Sequence, residues 1–328
     1  MSVQRIGVIG GGAWGTALGQ VAASGGATLL WAREPEVVAG INESRENAAF
    51  LAGVPLNPAI RATTDLAHLH DCDALLVVTP AQHMRTVLQQ APRAGVPLLL
   101  CAKGIEESSG KLVHEVAREL CPDSPIAVLS GPTFAHEVAR GLPTAVTLAA
   151  EDLSLAERLR DRLARPEFRI YVSDDVAGAE IGGAVKNVLA IACGVVEGRG
   201  LGQNARAALI ARGFAEMTRF GLSRGAKRET LAGLSGLGDL VLTCSSTSSR
   251  NYSLGKGIGE GRLASELLAD RRTVAEGAFT APVLARIARE ERIDMPIVEA
   301  VAELIGGRTS VDVVLEALLS RPPKAEAI

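Results

Sequence analysis

A glycine-rich segment near the amino terminus has the spacing of a phosphate-binding turn. Gly10, Gly12 and Gly15 follow the apolar run Ile6–Ile9 and open a segment with helical periodicity. In such a Gly-x-Gly-x-x-Gly turn the first glycine permits a tight turn, the second lets phosphates approach the backbone, and the third lets helix and strand pack closely. Free N–H groups at the helix start then bind the phosphates. The pattern predicts a dinucleotide site; the alternative is a glycine-rich turn without a ligand.

Two residues of opposite charge follow the second apolar run, Thr28–Trp31. They are Arg33 and Glu34. An acidic residue at this place binds the ribose 2′-hydroxyl of NAD, whereas an arginine pairs with the 2′-phosphate of NADP. Because Arg33 lies nearer the strand end, we expect NADP (NADPH) to be preferred, with NAD as a second usable cofactor since Glu34 repels the phosphate. An ordinary solvated side chain is the alternative for Arg33.

Two lysines lie where proton transfer is expected. Lys186 lies inside the apolar helical segment Ile181–Val196. Apolar surroundings lower the pKa of an amine toward neutrality. Gly182 and Gly183, one helical turn away, leave room for a substrate beside the amine. Lys103 follows another apolar run, at the sheet edge where ligands bind in this fold class. A side chain that extends its amine to solvent is the alternative for Lys186, and a solvated loop charge is the alternative for Lys103.

Further polar candidates lie in the second half of the chain. Asp239, in a Gly-Leu-Gly-Asp-Leu segment, is placed to pair with Lys186 and orient it. Arg250, in a loop of Ser and Asn residues, suits a dianionic phosphate because its planar guanidinium forms bidentate bonds. A helix cap or turn is the alternative for Asp239, and a solvated loop charge is the alternative for Arg250.

Taken together and in order, these segments resemble those of the bacterial NAD(P)-dependent glycerol-3-phosphate dehydrogenase family. The resemblance covers nearly the whole chain. The segments that carry it are Gly10–Ala17, Lys103–Glu106, Ser130–Ala135, Gly182–Ala190, Asn204–Ile210, Gly236–Leu240, Ser249–Asn251 and Met295–Ile297. Two departures stand out: Ala13 occupies a position where the family commonly has Ser, and Glu34 occupies one that is often basic.

The resemblance implies hydride exchange between a nicotinamide and carbon 2 of glycerol 3-phosphate or dihydroxyacetone phosphate, supplying glycerophospholipid synthesis. It implies Lys186 as proton donor and acceptor, with Lys103 and Asp239 as further catalytic residues. The implied substrate contacts are Lys103, Gly131, Thr133, Lys186, Asp239, Ser249, Arg250 and Asn251. The implied cofactor contacts are Gly10, Gly12, Ala13, Trp14, Gly15, Arg33, Lys103, Ala135, Arg250, Val274 and Glu276. Thr133 has a second interpretation, as a helix cap after Pro132.

The predicted secondary structure changes near residue 176. Before it, apolar runs alternate with helical segments, and most runs are apolar at consecutive positions, as in strands covered on both faces. We therefore predict an α/β fold: a Rossmann-like, doubly wound, mostly parallel sheet over residues 1–176, followed by an all-α substrate and catalytic domain over 177–328. The predicted strands are Ile6–Ile9, Thr28–Trp31, Leu75–Val78, Leu98–Cys101, Ile126–Leu129, Ala145–Leu148 and Arg169–Val172.

The amino-acid composition argues against several classes of partner and ligand. The 328 residues carry 34 Lys plus Arg against 37 Asp plus Glu, and 3% aromatic residues, which argues against a nucleic-acid partner. Five widely spaced cysteines without a Cys-x-x-Cys pair indicate neither disulfides nor a zinc site. The segment His68–Cys72 reads as a surface cluster, so no metal is expected.

The expected location is the cytoplasm. The amino terminus lacks the features of a signal peptide, and Lys186 and Asn187 interrupt the most membrane-like segment, which we interpret as a buried helix. A homodimer is expected by analogy. Two other functions stay open at this point: a dehydrogenase of the same architecture acting on a 3-hydroxyacid, and a redox-sensing nucleotide-binding protein without turnover.

Overall fold

The structure, a computed structural model, describes residues 3–90, 95–269 and 275–322. It divides into two compact units. The first unit comprises Met1–Ala102 and Val113–Ala179, and the second comprises Lys103–Leu112 and Glu180–Ile328. Lys103, a predicted site residue, therefore belongs to the second unit although it lies far upstream in the sequence.

The first unit is built on one sheet of eight strands within the described residues. The strands are β1 (Ile6–Ile9), β2 (Thr28–Trp31), β3 (Ile60–Thr63), β4 (Ala74–Val77), β5 (Leu98–Leu100), β6 (Ile126–Ser130), β7 (Thr144–Ala150) and β8 (Phe168–Ser173). Their order in the sheet is β3-β2-β1-β4-β5-β6-β7-β8. All neighbouring pairs are parallel except β6 and β7. The predicted Rossmann-like, mostly parallel sheet is confirmed.

Helices cover both faces of this sheet. They are α1 (Ala13–Ala23), α2 (Pro35–Ala39), α3 (Ala81–Leu88), α4 (Val113–Leu120), α5 (Ala135–Ala139) and α6 (Leu153–Leu163), with a π-helical turn at Gly40–Ser44 and a 3₁₀ helix at Leu66–Asp71. Along β4, Leu76 packs in one buried cluster with Leu18 of α1, and Leu75 packs in another with Met84 of α3. Since successive side chains of a strand point to opposite faces, the two clusters lie on the two faces of the sheet.

The strand β3 is absent from the sequence prediction for a physical reason. It has four residues, and the exposed Arg61 interrupts its apolar pattern. Such a strand at the sheet edge needs burial on only part of its surface, so its sequence lacks the continuous apolar run that reveals the interior strands.

The second unit is helical within its described residues. Its helices are α7 (Val176–Gly198), which starts in the first unit, α8 (Gly202–Ser223), α9 (Arg228–Leu231), α10 (Asp239–Thr243), α11 (Arg250–Gly259), α12 (Ala264–Leu267), α13 (Glu276–Glu290), α14 (Pro296–Ile305) and α15 (Val311–Leu319), with a π-helical turn at Leu234–Gly238. The predicted all-α character of the second part of the chain is confirmed.

Close backbone packing explains why α10 and α11 escape sequence prediction. Glycines within α11 and in the turn before α10 make both stretches read as connections. In the structure a Cβ at Gly255 of α11 would lie 1.9 Å from the Ile191 carbonyl oxygen of α7, and a Cβ at Gly194 would lie 2.1 Å from the Tyr252 carbonyl oxygen. These glycines are therefore contact points between two helices, where any side chain would force the backbones apart.

The apolar helix α7 forms the core of the second unit. Its length and mean hydropathy of 1.5 would suit a membrane span, yet 94% of its most apolar window is buried inside the protein. The interpretation of this segment as a buried helix is confirmed.

Candidate active site

The glycine turn of the first unit has the geometry that its sequence predicts. Gly10 adopts a φ of +129°, which L side chains rarely adopt. A Cβ at Gly15 would lie 1.9 Å from the Gly10 carbonyl oxygen, so helix and strand meet there without a side chain. At Gly12 a Cβ would meet no atom within 4 Å, which leaves open space above the backbone.

Backbone hydrogen-bond donors at the start of α1 lie next to that open space. Helix α1 follows Gly12 without a side-chain cap, and its first turn leaves backbone N–H groups without intrahelical acceptors. The indole Nε1 of Trp14 is buried and has no hydrogen-bond partner among the described residues. The backbone N–H of Ala13 serves here without the hydroxyl that Ser would add. Open space and unpaired donors fit the diphosphate of a dinucleotide.

A buried asparagine that sequence reasoning missed supports this turn. The side chain of Asn47 is fully engaged: Nδ2 donates to the Gly11 carbonyl oxygen and to Thr16 Oγ1, each at 2.8 Å, and Oδ1 accepts from the Phe50 backbone N–H. Asn47 follows the π-helical turn, so no local motif marks it as a partner of the glycine segment.

Arg33 and Glu34, the pair that bears on cofactor choice, bond to each other. The Arg33 Nη2 atom donates to Glu34 Oε1 at 3.0 Å, and the Arg33 side chain is 82% exposed. An exposed pair of this kind contributes little free energy. The guanidinium is therefore available to a stronger anionic partner such as a phosphate.

In the second unit, Lys186 is buried at the centre of a polar cluster. Its Nζ lies 2.8 Å from Asp239 Oδ1 and 2.8 Å from Thr243 Oγ1. Burial lowers the pKa of Lys186 to about 8; the Asp239 carboxylate opposes this shift and the Lys103 ammonium adds to it. The alternative of an amine extended to solvent is wrong. The ion pair expected between Lys186 and Asp239 is present.

Asp239 holds the second lysine as well. Its Oδ2 lies 2.7 Å from Lys103 Nζ, and the carboxylate is inaccessible to solvent. Asp239 is the first residue of α10, after the N-cap Gly238, so the interpretation as a helix N-cap is wrong. Two ammonium groups share one carboxylate, and the cluster keeps an excess of positive charge that would stabilise an anionic oxygen.

Thr243, which sequence reasoning missed, completes this cluster. Its Oγ1 accepts from Lys186 and donates to Asp239 Oδ1 at 3.3 Å. One turn of α10 separates Thr243 from Asp239, so the short helix presents both groups to the same amine. An Asp-x-x-x-Thr spacing is the local signal, but it becomes recognisable only once α10 is known to be helical.

The prediction that Gly182 leaves room for a substrate beside the amine is wrong. A Cβ at Gly182 would lie 2.4 Å from the Ser235 carbonyl oxygen and 2.8 Å from Gly236 Cα. The space is filled because the π-helical turn Leu234–Gly238 packs directly on α7. This close approach is what delivers Asp239 to Lys186.

A chain of amide hydrogen bonds links three helices to the Lys103 segment. The Gly277 N–H of α13 donates to Asn251 Oδ1 at 2.9 Å, and Asn251 Nδ2 donates to Asn187 Oδ1 at 2.9 Å. Asn187 Nδ2 then donates to the Lys103 carbonyl oxygen at 3.1 Å. The chain holds the backbone of Lys103 in place beside Lys186, a neighbour of Asn187 on α7.

The expected Ser/Asn loop around Arg250 is instead the start of α11. Ser249 is the N-cap, with Oγ accepting from the Tyr252 N–H at 3.3 Å, and Arg250 is the first helical residue and exposed. A serine followed by a helix-forming segment is a capping signal. The glycines of α11 concealed the helix that Ser249 caps.

The remaining predicted substrate and cofactor contacts lie in other segments of the chain than the cluster around Asp239. In the first unit Gly131 directly follows β6 with a φ of +155°, and Thr133 Oγ1 donates to its carbonyl oxygen at 3.3 Å. Helix α5 starts at Ala135 with Phe134 as N-cap, so the capping interpretation of Thr133 is wrong. In the second unit Glu276 is the first residue of α13. Val274 lies outside the described residues.

Two family models match the chain in order. Residues 5–156 match the NAD-dependent glycerol-3-phosphate dehydrogenase N-terminus, and residues 175–316 match the NAD-dependent glycerol-3-phosphate dehydrogenase C-terminus. Together the two matches cover most of the described sequence.

Individual relatives match over nearly their whole length. Glycerol-3-phosphate dehydrogenase (NAD(P)+) 1 of Sphingopyxis alaskensis is 61% identical over 326 residues, 99% of each chain. The Erythrobacter litoralis glycerol-3-phosphate dehydrogenase (NAD(P)+) is 64% identical over 323 residues, 98% of each chain. The crystal structure of glycerol-3-phosphate dehydrogenase from Coxiella burnetii is 37% identical, with a TM-score of 0.92 over 97% of this chain and 99% of that one. The chain belongs to the NAD-dependent glycerol-3-phosphate dehydrogenase family.

Proposed function

We propose that the chain interconverts sn-glycerol 3-phosphate and dihydroxyacetone phosphate with NADP(H) or NAD(H). The observation that carries this proposal is the buried cluster in which Asp239 holds both Lys186 and Lys103. A cluster with excess positive charge and an amine whose pKa lies near 8 suits a reaction that creates and neutralises an alkoxide. The family matches support the same activity.

The residues of the first unit supply the cofactor site. Gly10, Gly12, Gly15 and the backbone of Ala13 and Trp14 would hold the diphosphate. Ala135, Arg250, Val274 and Glu276 are the further cofactor contacts that the family resemblance implies. When bound, the nicotinamide exchanges a hydride with carbon 2 of the substrate.

Lys186 handles the proton. In the reducing direction its ammonium donates a proton from Nζ to the oxygen on carbon 2 as that oxygen becomes an alcohol. Lys103 adds positive charge against the developing negative charge. Asp239 and Thr243 hold Nζ in one position, so the proton is presented from a fixed direction. In the oxidising direction the neutral amine accepts the proton.

Arg250 binds the phosphate in this proposal. Its exposed guanidinium lies at the first position of α11, where the helix start also favours an anion. Ser249, Asn251, Gly131 and Thr133 are the further substrate contacts. Binding energy from the phosphate, remote from the reacting carbon, would position the carbonyl.

We further propose that residues 1–176 bind the dinucleotide and that residues 177–328 carry the catalytic groups apart from Lys103, which the fold groups with the second unit. NADP(H) is the preferred cofactor in this proposal, since Arg33 is free to leave Glu34 for a 2′-phosphate. We also propose a cytoplasmic homodimer that supplies glycerophospholipid synthesis.

The test is oxidation of NADPH with dihydroxyacetone phosphate, measured for the wild type and for Lys186→Ala. We expect the variant to lose about 10³-fold or more in kcat, a loss typical of a removed proton donor and its charge. Lys256→Ala is the matched control, because Lys256 is a half-exposed lysine of the same unit. Unchanged nucleotide affinity in Lys186→Ala would show that the variant is folded, and normal turnover by it would refute the proposed role.

Two competing functions are separated in the same assay. A 3-hydroxyacid dehydrogenase would turn over carboxylate substrates in place of the phosphorylated ketone. A nucleotide sensor would bind NADPH and leave every offered ketone unreduced.

A further inference from the structure

The carboxyl ends of β1 and β4 meet where the strand order of the sheet reverses. The two strands are neighbours, and the Val78 N–H still donates to the Ile9 carbonyl oxygen at 2.9 Å just beyond them. Helix α1 leaves β1 toward one buried cluster, and α3 leaves β4 toward the other. A crevice at such a switch point is where doubly wound sheets bind their ligands.

Thr79 lies in this crevice, directly against the glycine turn. A Cβ at Gly10 would lie 3.1 Å from the Val78 carbonyl carbon and oxygen and 3.4 Å from the Thr79 backbone nitrogen. The connection from β4 to α3 therefore packs on the first glycine of the phosphate-binding turn. Neither the glycine spacing nor the family resemblance drew attention to this threonine.

The hydroxyl of Thr79 is buried and lacks a hydrogen-bond partner in the part of the chain that the structure describes. The residue is 6% exposed, and Oγ1 has no hydrogen-bond partner among the described residues. Nearly all buried polar side-chain atoms in proteins have a partner, because an unpaired one has lost its water without compensation. Trp14, at the start of α1 beside the same turn, has an equally unpaired indole N–H. A buried, unpaired hydroxyl on the residue that packs against the phosphate-binding turn indicates a polar ligand at this turn.

We propose that Thr79 is a cofactor-binding residue whose hydroxyl donates to an oxygen of the ribose–diphosphate backbone of the dinucleotide. The assignment rests on the proposed function, since it requires a dinucleotide at this turn. The neighbouring glycine binds the diphosphate, not the 2′-phosphate that distinguishes NADP from NAD. Thr79 therefore contributes equally to NADPH and NADH binding, in contrast to Arg33.

The experiment compares Thr79→Val, which keeps the shape and removes the hydroxyl, with Thr79→Ser, which keeps the hydroxyl. Ser124→Ala is the matched control: its Oγ is also buried without a partner, but Ser124 precedes β6 and so lies at the opposite, amino edge of the sheet. Dissociation constants for NADPH, NADH and ADP-ribose are measured by titration calorimetry on the full-length chain. The Tm of each ligand-free variant is measured in parallel.

We expect Thr79→Val to weaken binding of all three nucleotides by roughly five- to tenfold, the effect of one lost hydrogen bond. Thr79→Ser and Ser124→Ala should bind as the wild type does. The Tm of ligand-free Thr79→Val should not fall, because the hydroxyl has no partner to lose. A purely structural hydroxyl would instead lower that Tm.

The outcomes are distinguishable. If the wild type binds NADPH and Thr79→Val binds it equally well, the inference is overturned and the proposed function stands. If NADPH binding weakens but ADP-ribose binding does not, the hydroxyl contacts the nicotinamide portion and the assignment to the ribose–diphosphate backbone is wrong. If the wild type binds neither NADPH nor NADH, the proposed function fails and the inference fails with it.

Discussion

At Asp239 one carboxylate keeps two ammonium groups out of water. Burial disfavours every charge in this cluster, and mutual attraction offsets that penalty only while the charges stay paired. Loss of Lys186 leaves Asp239 paired with Lys103, whereas loss of Asp239 leaves two like charges together. The carboxylate is therefore the member on which the arrangement of both amines depends.

The pH dependence of the reaction rate should follow the protonation of the Lys186 amine. Its pKa of about 8 means that the ammonium needed for ketone reduction is present below pH 8 and lost above it. We expect kcat/KM for reduction to fall about tenfold per pH unit above 8. The same constant for alcohol oxidation should rise with pH and level off above 8. A flat profile for both directions from pH 6 to 10 would contradict the assignment.

Substitutions of Asp239 and Lys103, the charged neighbours of Lys186, should shift the midpoint of the pH profile in opposite directions. Asp239 raises the pKa of Lys186 and Lys103 lowers it. Asp239→Asn should therefore shift the profile to lower pH and Lys103→Met to higher pH, each at reduced activity. A midpoint that stays fixed in both variants would mean that another group titrates.

Cofactor selectivity depends on a second pair of charges. Within residues 3–90, 95–269 and 275–322, Arg33 bonds only to Glu34, and it is largely exposed, so a 2′-phosphate can replace the carboxylate at small cost. Glu34→Gln should raise the preference for NADPH over NADH several-fold, because the repulsion of the phosphate disappears while Arg33 remains. Arg33→Asp should reverse the preference. The measurement is the ratio of kcat/KM values for the two cofactors, and an unchanged ratio in both variants would refute the assignment.

At the scale of elements, helix starts and helix contacts position the functional side chains. Gly194 and Gly255 let α7 and α11 touch at the backbone, and Gly182 lets the turn before α10 do the same. Asn187 and Asn251 then bond across the first of these contacts. The glycines therefore set the distance between the helices, and the asparagine side chains fix their alignment along each other.

A buried carboxylate joins two other helices of the second unit. Glu216 of α8 accepts from the Ile297 and Val298 N–H groups at the start of α14, at 2.8 and 3.1 Å. Burial raises the pKa of Glu216 from 4.5 to about 7, and the two N–H bonds oppose this shift without cancelling it. The native state thus favours the protonated carboxyl.

Stability should consequently depend on pH through Glu216. A raised native pKa means that its contribution is complete below pH 4.5 and is lost as pH rises to about 7, by an amount on the order of 3 kcal/mol. Glu216→Gln cannot titrate, so its unfolding free energy should decline less than that of the wild type between pH 5 and 8. Denaturant unfolding at several pH values measures this.

Glu303 provides the matched control for that experiment. It lies in α14, the helix whose start bonds to Glu216, but it is partly exposed and Arg308 lowers its pKa. Glu303→Gln should leave the slope between pH 5 and 8 as in the wild type. Identical slopes for Glu216→Gln and the wild type would show that Glu216 does not titrate in this range.

At the scale of the whole molecule, each unit holds part of the proposed chemistry. The glycine turn, Asn47 and Thr79 lie in the first unit, and the cluster around Asp239 lies in the second. The family matches follow the same order along the chain, with one model for each part. Catalysis in our proposal requires both units, so separate expression of either part should yield no turnover.

The proposed homodimer is also a statement about the whole molecule. One chain has a mass of 34.1 kDa, so light scattering should give about twice that value at micromolar concentration. NADPH should not change this mass, because the proposed cofactor site lies within one chain. A single-chain mass under these conditions would contradict the homodimer.

Features that arise from a few neighbouring residues could be predicted from local patterns in the chain. Consecutive apolar residues predicted seven strands of the sheet, and the glycine spacing predicted the turn between β1 and α1, because both signals arise within a few neighbouring residues. The same holds for Lys186, whose apolar helical surroundings are visible in the sequence.

Contacts between groups that are distant in the sequence became known only from the tertiary structure. Asp239 reaches Lys103 across 136 positions and Lys186 across 53, and no local pattern specifies such distances. Helix α11 is not predictable locally because its glycines, which oppose helix formation, are favoured by close packing on α7. Helix α10 has only five residues and follows a glycine-containing turn that packs on the same helix. The unpaired hydroxyl of Thr79 and the amide chain through Asn187 likewise exist only once strands and helices are assembled.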